Sequence, residues 1–390
     1  MVKSFRFARL PEIYFGCGKS DTLPDLIKSY GTTVILVTGK SSFMTSIRGE
    51  KLLDSFQKKG ISCYHIVISE EPSPEMIDEA AVHYSNIKVN VVIAIGGGSV
   101  LDAGKAISAM LHKTESVVEF LEGVGKKEHP GTKIPFIGIP TTSGTGSEAT
   151  KNAVISKTGK NGFKRSLRHD NFVPDIAIVD PELTIQCPQD ITATSGMDCF
   201  SQLTEAYLSD KSNQYTDALS IEGLKMIKYS LTGSYINGDN IEARTGMSFA
   251  ALTSGICLTN AGLGIVHGLA SSIGGMYSIP HGLVCGTLMA ISNEVNVREL
   301  RRSCSNPAAL KKYAILGELF LDKKRKSDEY YTDGFISYLH QLTHDLHLSG
   351  LRNYGLEEKD VELICIETEN KNNPVKLAVE DLAEIVLKRL

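Results

Sequence analysis

Short runs of β-branched and aliphatic residues alternate with amphipathic stretches through the first half of this 390-residue chain. "TVILVTG" at 33–39 is a continuous apolar run closing on glycine, the pattern of a parallel strand buried on both faces. "SCYHIVIS" and "VNVVIAIGGGS" repeat it, and "EMIDEAAVHYSN" between them carries apolar residues at helical spacing. "KIPFIGIPTTSGTGSE" adds a further strand that runs into a loop of small and hydroxyl residues. Strands alternating with helices predict an α/β domain with a largely parallel sheet, over residues 1–188. Past "DITATSGMDCFSQLTEAYLS" the β-branched runs thin out and helical periodicity takes over, predicting an all-α domain over 189–390.

Composition narrows the classes. Charged residues make up 22% and the formal net charge is −4, so nothing in the whole-chain balance favours nucleic acid or an anionic membrane. No apolar run approaches the roughly 18 residues that span a bilayer. The start, "MVKSFRFARLPEIYFG", lacks the apolar centre and cleavage site of a signal peptide. The eight cysteines form no CxxC pair, which points to reduced thiols and a cytoplasmic location. The lysine-rich "LDKKRKSDEYY" reads as a solvated surface turn.

Two loops carry the cofactor signal. In "VVIAIGGGSVLDAGKAIS" a strand ends at Ile95, and Gly96, Gly97, Gly98 and Ser99 lead into a helix. Glycines allow close backbone approach to a phosphate, and the helix start offers free N–H groups and a positive dipole end. These four residues are a candidate pyrophosphate cradle, although a plain strand-to-helix turn uses glycine too, and the spacing differs from the GxGxxG of the ordinary Rossmann fingerprint. The second loop, "PTTSGTGSEAT", sets the hydroxyls of Thr141, Thr142, Ser143, Thr145 and Ser147 at the end of another strand. Ligands of open α/β sheets bind outside the carboxyl ends of strands, and two such loops reinforce each other.

These motifs, with "YFGCG", "NFVPDIAIVDPELT", "SGMDCFSQLTEAY", "GLGIVHGLASSIGGMYSIPHG" and "NNPVKLAVEDLAEIV", resemble the iron-containing (group III) alcohol dehydrogenase family over nearly the whole chain. The resemblance implies the dehydroquinate synthase-like fold, an N-terminal dinucleotide-binding α/β domain and a C-terminal helical domain with the site in the cleft. It implies a divalent metal, iron(II) or zinc, held by an aspartate, a histidine four residues on, and two downstream histidines. Asp198, His267 and His281 match three of these positions. Gln202 stands at the fourth, either offering its amide oxygen to the metal or only hydrogen-bonding a neighbour. Ser271 replaces a histidine that many alcohol-oxidising members use in proton transfer, and a hydroxyl does not titrate near neutral pH. Proton delivery then falls to water, a ribose hydroxyl or another side chain.

By the same resemblance, Gly97, Gly98 and Ser99 hold the pyrophosphate, Asp102 meets a ribose hydroxyl, and Thr142, Ser143 and Thr145 position the nicotinamide. Lys164 and Leu183 complete the implied cofactor set. Many members carry an aspartate after the first strand, where this chain has Gly39 followed by Lys40, Ser41 and Ser42. Loss of a carboxylate and gain of an ammonium favour a 2′-phosphate, which makes NADP(H) the expected cofactor with NAD as the alternative. The expected reaction is hydride transfer between NADP(H) and a small alcohol, aldehyde or ketone, with catalytic roles for Asp198, His267, His281 and Ser271. A homo-oligomer, with a dimer favoured, is the implied assembly. Two alternatives stand beside it: dehydroquinate-synthase-like chemistry, and a non-catalytic NADP-binding homologue whose metal site has decayed. The cluster His340, His344 and His347 shares one helix face but lies in no motif, and reads as surface.

Overall fold

The computed structural model describes residues 2, 4–40, 43–159 and 162–390. An N-terminal α/β domain carries a six-stranded sheet, and a helical domain follows it. The strands are β1 (Glu12–Phe15), β2 (Thr33–Gly39), β3 (Ser62–Ile68), β4 (Val91–Gly96), β5 (Phe136–Pro140) and β8 (Ile176–Val179), in the order β1-β8-β5-β4-β2-β3 with every pair parallel. A separate antiparallel hairpin is formed by β6 (Asn152–Lys157) and β7 (Phe163–Arg168).

The continuous apolar runs are explained by the two faces of the sheet. Along β2, Val34 and Leu36 join a cluster with Leu23, Ile27 and Phe56, while Ile35 and Val37 join one with Leu101, Ile107 and Phe136. Successive side chains point to opposite faces, so a strand covered on both sides has no polar position to spare. The edge strand β3 is only partly covered, with most of its residues exposed, unlike β2 and β4. β1 and the β6–β7 hairpin were not legible as strands: the first is four residues long, and the second reads "FKRSLR" along one arm. Polar side chains on that arm suit a ribbon with one face toward a cavity.

Chain order reverses between β2 and β4, since β3 lies outside β2 while β5 lies outside β4. Register pairs Thr38 with Ile95, so Gly39 and Gly96 end side by side at the carboxyl edge. That is the switch-point crevice in which α/β sheets take ligands.

The helical domain is built around helix Gln189–Leu208, buried almost continuously from Gly196 to Leu208. Helices Gln214–Ile236, Ile241–Ala261 and His281–Ser303 pack against it. A helix enclosed on all sides loses the polar stripe of an amphipathic surface helix. Among the described residues no single helix is long and apolar enough to cross a membrane. The lysine-rich segment after Leu321 is an exposed connection.

One buried ammonium ties the two loops together. Lys105, 1% exposed on helix Gly98–Met110, donates to the carbonyls of Ser147 and Asn152 at 2.8 Å each. It also reaches the hydroxyls of Thr150 at 2.9 Å and Ser147 at 3.1 Å. Burial lowers its pKa to about 8, against the opposing charges of Asp102 and Glu148. Removing one partner of such a network strands the others without hydrogen bonds. Lys105→Ala is therefore expected to cost about 3–5 kcal/mol, read as a lowered midpoint in chemical denaturation; a change under about 1 kcal/mol would show that water replaces the ammonium without loss.

Candidate metal and nucleotide site

The two loops meet at the carboxyl edge of the sheet. Helix Gly98–Met110 starts from Gly97, in extended conformation, and has no side-chain cap, so its first amides are open to a ligand. Gly98 packs against the second loop: a Cβ there would lie 2.7 Å from Thr145 Cγ2. Only glycine fits that approach. Gly98, Ser99, Asp102 and Thr145 share a cavity of about 810 Å³ with Lys164, on β7.

Each of the remaining cofactor candidates has a definite place. Thr141 hydrogen-bonds Gly96 through its backbone, closing the first loop onto the second. Ser143 is buried, and its hydroxyl lies 3.3 Å from that of Ser248 on helix Ile241–Ala261. Ser143 thus joins the two domains as well as standing in the loop. Asp102 accepts from the Ser147 hydroxyl at 2.5 Å and from the Val154 amide at 3.0 Å, so each oxygen already has a protein partner. Lys164 forms an ion pair with Glu71 in the cavity wall. Leu183 is partly buried and packs against the apolar cluster on one face of the sheet. Lys40 is exposed beyond the end of β2, whereas Ser41 and Ser42 lie outside the described residues.

Across the same cavity stand His267 and His281, with Asp198 behind them. Asp198 is 1% exposed in the middle of helix Gln189–Leu208. Its Oδ1 lies 3.2 Å from His267 Nε2 and 3.8 Å from His281 Nε2. Burial opposes ionisation, but the hydrogen bond from His267, with the two imidazoles close by, outweighs it, and the carboxyl pKa is lowered. Histidine 281 opens helix His281–Ser303 directly after Pro280. Burial is the main cause of its imidazole pKa falling to about 4, which keeps the ring neutral. Neutral imidazole is the form that ligates a metal.

Glu205 was not anticipated, yet it organises the site. Its Oε2 accepts from His267 Nδ1–H at 2.6 Å while Nε2 of the same ring faces Asp198, and with a carboxylate on each side the imidazole pKa is raised well above its usual value in spite of burial. Its Oε1 accepts from the Val266 amide at 2.7 Å, at the start of helix Ile265–Met276. One carboxylate therefore complements the helix dipole and fixes the imidazole, the outer partner that metal-ligating histidines usually have. The sequence signal was slight, a glutamate seven residues beyond Asp198 on the same helix.

Gln202 lies beside Asp198, its Nε2 3.2 Å from Oδ2, and its Oε1 is 2.9 Å from the Ser254 hydroxyl. Cys285, also unanticipated, enters the cluster: its Sγ is 3.6 Å from both His267 Nε2 and His281 Nε2. Donor atoms of Asp198, His267, His281 and Cys285 all lie within 4.8 Å of one another. The clue was its spacing, four residues after His281 on one helix face. Ser271 donates to the His267 carbonyl at 2.7 Å, and Lys371 reaches the Ser271 hydroxyl at 3.2 Å. Lys371 has a φ of 48°, an unusual conformation for a residue with a side chain. By contrast His340 pairs with Glu294 at the surface, away from this cluster.

Comparison with known proteins assigns the chain to a family. Residues 11–181 match the family described as "Iron-containing alcohol dehydrogenase", and residues 192–390 match "Fe-containing alcohol dehydrogenase family, C-terminal". The chain belongs to the iron-containing alcohol dehydrogenase family. It is 30% identical to alcohol dehydrogenase 4 of Saccharomyces cerevisiae (strain YJM789), over 97% of this chain and 96% of that one. An NADPH-dependent butanol dehydrogenase of Clostridium saccharobutylicum is 29% identical, over 91% of this chain and 88% of its own. The solved structure of an archaeal halo-thermophilic alcohol dehydrogenase from a Red Sea brine pool superposes with a TM-score of 0.90 at 26% identity, covering 100% of both chains.

Proposed function

We propose that this protein is an oxidoreductase that moves a hydride between NADP(H) and a small alcohol, aldehyde or ketone. The observation that carries the reading is the convergence, on one cavity, of an uncapped glycine-rich helix start and a buried carboxylate–imidazole cluster. The donor set fits a divalent ion: two imidazoles and a carboxylate within bonding reach of one point, one imidazole fixed by an outer carboxylate. Asp198, His267 and His281 would hold it. When bound there, the ion supplies Lewis-acid polarisation of the substrate oxygen.

The protein's own groups account for the rest. Gly98 and Ser99 present backbone amides to a pyrophosphate, and Thr145 and Thr142 border the space beside it. Gly39 and Lys40, at the end of β2, stand one strand from that loop, where an adenosine ribose meets the sheet edge. An ammonium there attracts a 2′-phosphate that an aspartate would repel. This supports NADP(H). The Ser271–Lys371 pair replaces the family's titrating histidine as the hydrogen-bonded route between the cavity and solvent.

The direct test is metal analysis of protein purified without chelators, together with NADPH oxidation against a panel of aldehydes. Iron or zinc near one per chain with turnover supports the reading; absence of both after reconstitution supports a non-catalytic homologue. His267→Ala is expected to abolish metal retention and turnover, while Gln202→Ala weakens both less. Lys371→Met should lower turnover on the order of a hundredfold at unchanged metal content, and undiminished turnover would place the proton route elsewhere. Gly39→Asp should shift the kcat/KM ratio from NADP toward NAD; an unchanged ratio would remove the charge argument.

A further inference from the structure

Resting on the metal reading above, we infer that Cys285 is the fourth protein ligand, a thiolate that replaces the donor lost where Gln202 stands. The argument begins with helix register. Cys285 lies four residues beyond His281, so both side chains project from one face of helix His281–Ser303. That face meets His267, whose Nε2 is aimed inward by the Glu205 bond. The thiol is buried and sits 3.6 Å from each imidazole Nε2.

The spacing matches a coordination shell. With metal–ligand bonds of about 2.0–2.3 Å, the edges of a tetrahedron are roughly 3.3–3.8 Å. Four of the six donor separations fall near that spacing, 3.2 Å for Asp198 to His267, 3.6 Å for Cys285 to each histidine and 3.8 Å for Asp198 to His281, and the other two lie within 4.8 Å. Packing alone does not require a sulfur at that spacing from two imidazole nitrogens and within 4.8 Å of a carboxylate oxygen. Gln202 is meanwhile engaged with Asp198 on one side and Ser254 on the other. Its amide secures the carboxylate, and the helix across the cluster provides the missing donor.

The charge balance is consistent. One carboxylate and one thiolate neutralise a divalent ion, and the thiol proton leaves to solvent as the metal enters. A thiolate is a softer ligand than imidazole and shifts preference from iron(II) toward zinc. The site is thus assigned as Asp, His, His and Cys, with zinc as its better-matched ion, and the substrate oxygen of the proposed reaction would enter as a fifth ligand.

Cobalt(II) reports such a ligand directly. Metal-free full-length protein is titrated with cobalt(II) under anaerobic conditions and its absorption recorded, with zinc affinity measured in competition against a chelator. The wild type should show a near-ultraviolet thiolate-to-cobalt charge-transfer band alongside visible ligand-field bands. Cys285→Ser should lose the charge-transfer band and bind zinc more weakly by at least about a hundredfold, since outer partners alone typically cost 10–100-fold. Cys285→His should restore binding without the band, which controls for a folding defect, and Gln202→Ala should keep the band. Ligand-field bands without charge transfer in the wild type would overturn the thiolate while leaving the metal reading intact. Persistence of the band in Cys285→Ser would overturn it equally. Failure of the wild type to bind cobalt or zinc at all would sink the metal reading and this inference with it.

Discussion

A carboxylate in the middle of a buried helix is the constraint around which the helical domain is arranged. Asp198 cannot keep its charge in that interior without close compensation, because an unpaired buried ion is far costlier than any neutral packing arrangement. His267 provides most of it from another helix, the neutral His281 ring closes the cluster from a third, and Gln202 adds a hydrogen bond from the same helix. Glu205 then becomes necessary in turn, because with Asp198 it flanks His267 with a second carboxylate and holds the ring in its protonated form. The chain of dependence runs from one charge to three helices.

The α/β domain solves a parallel problem with the opposite sign. Lys105 is an enclosed ammonium whose partners are carbonyls and hydroxyls of the second loop, so the loop is held by charge-assisted hydrogen bonds. Gly98 presses against Thr145 from the other side. The nucleotide cradle is therefore rigid for two reasons, one electrostatic and one steric. A hydroxyl–hydroxyl contact between Ser143 and Ser248 joins the loop to the helical domain.

Much of this was readable from residues alone, for a physical reason in each case. A strand buried on both faces must be apolar throughout, so β2 and β4 announced themselves. The glycine-rich turn followed from the need for close backbone approach. The short β1 and the polar hairpin β6–β7 were not legible, because neither leaves an apolar periodicity. Family motifs pointed to Asp198, His267 and His281, but could not say which way the Gln202 amide faces.

What the sequence determined by itself is the identity and local spacing of the chemical groups: a helix start without side chains, two histidines fourteen apart, a carboxylate and glutamine on one helical face. Only the tertiary structure decided which groups meet. Glu205 reaches His267 across 62 positions, and Lys371 reaches Ser271 across 100. Cys285 is joined to His267 by the packing of two successive helices, and it lies beyond the motif that carries the two histidines. Periodicity records which face of an element is buried; the contacts made there depend on the relative placement of distant segments, which packing of the whole core fixes.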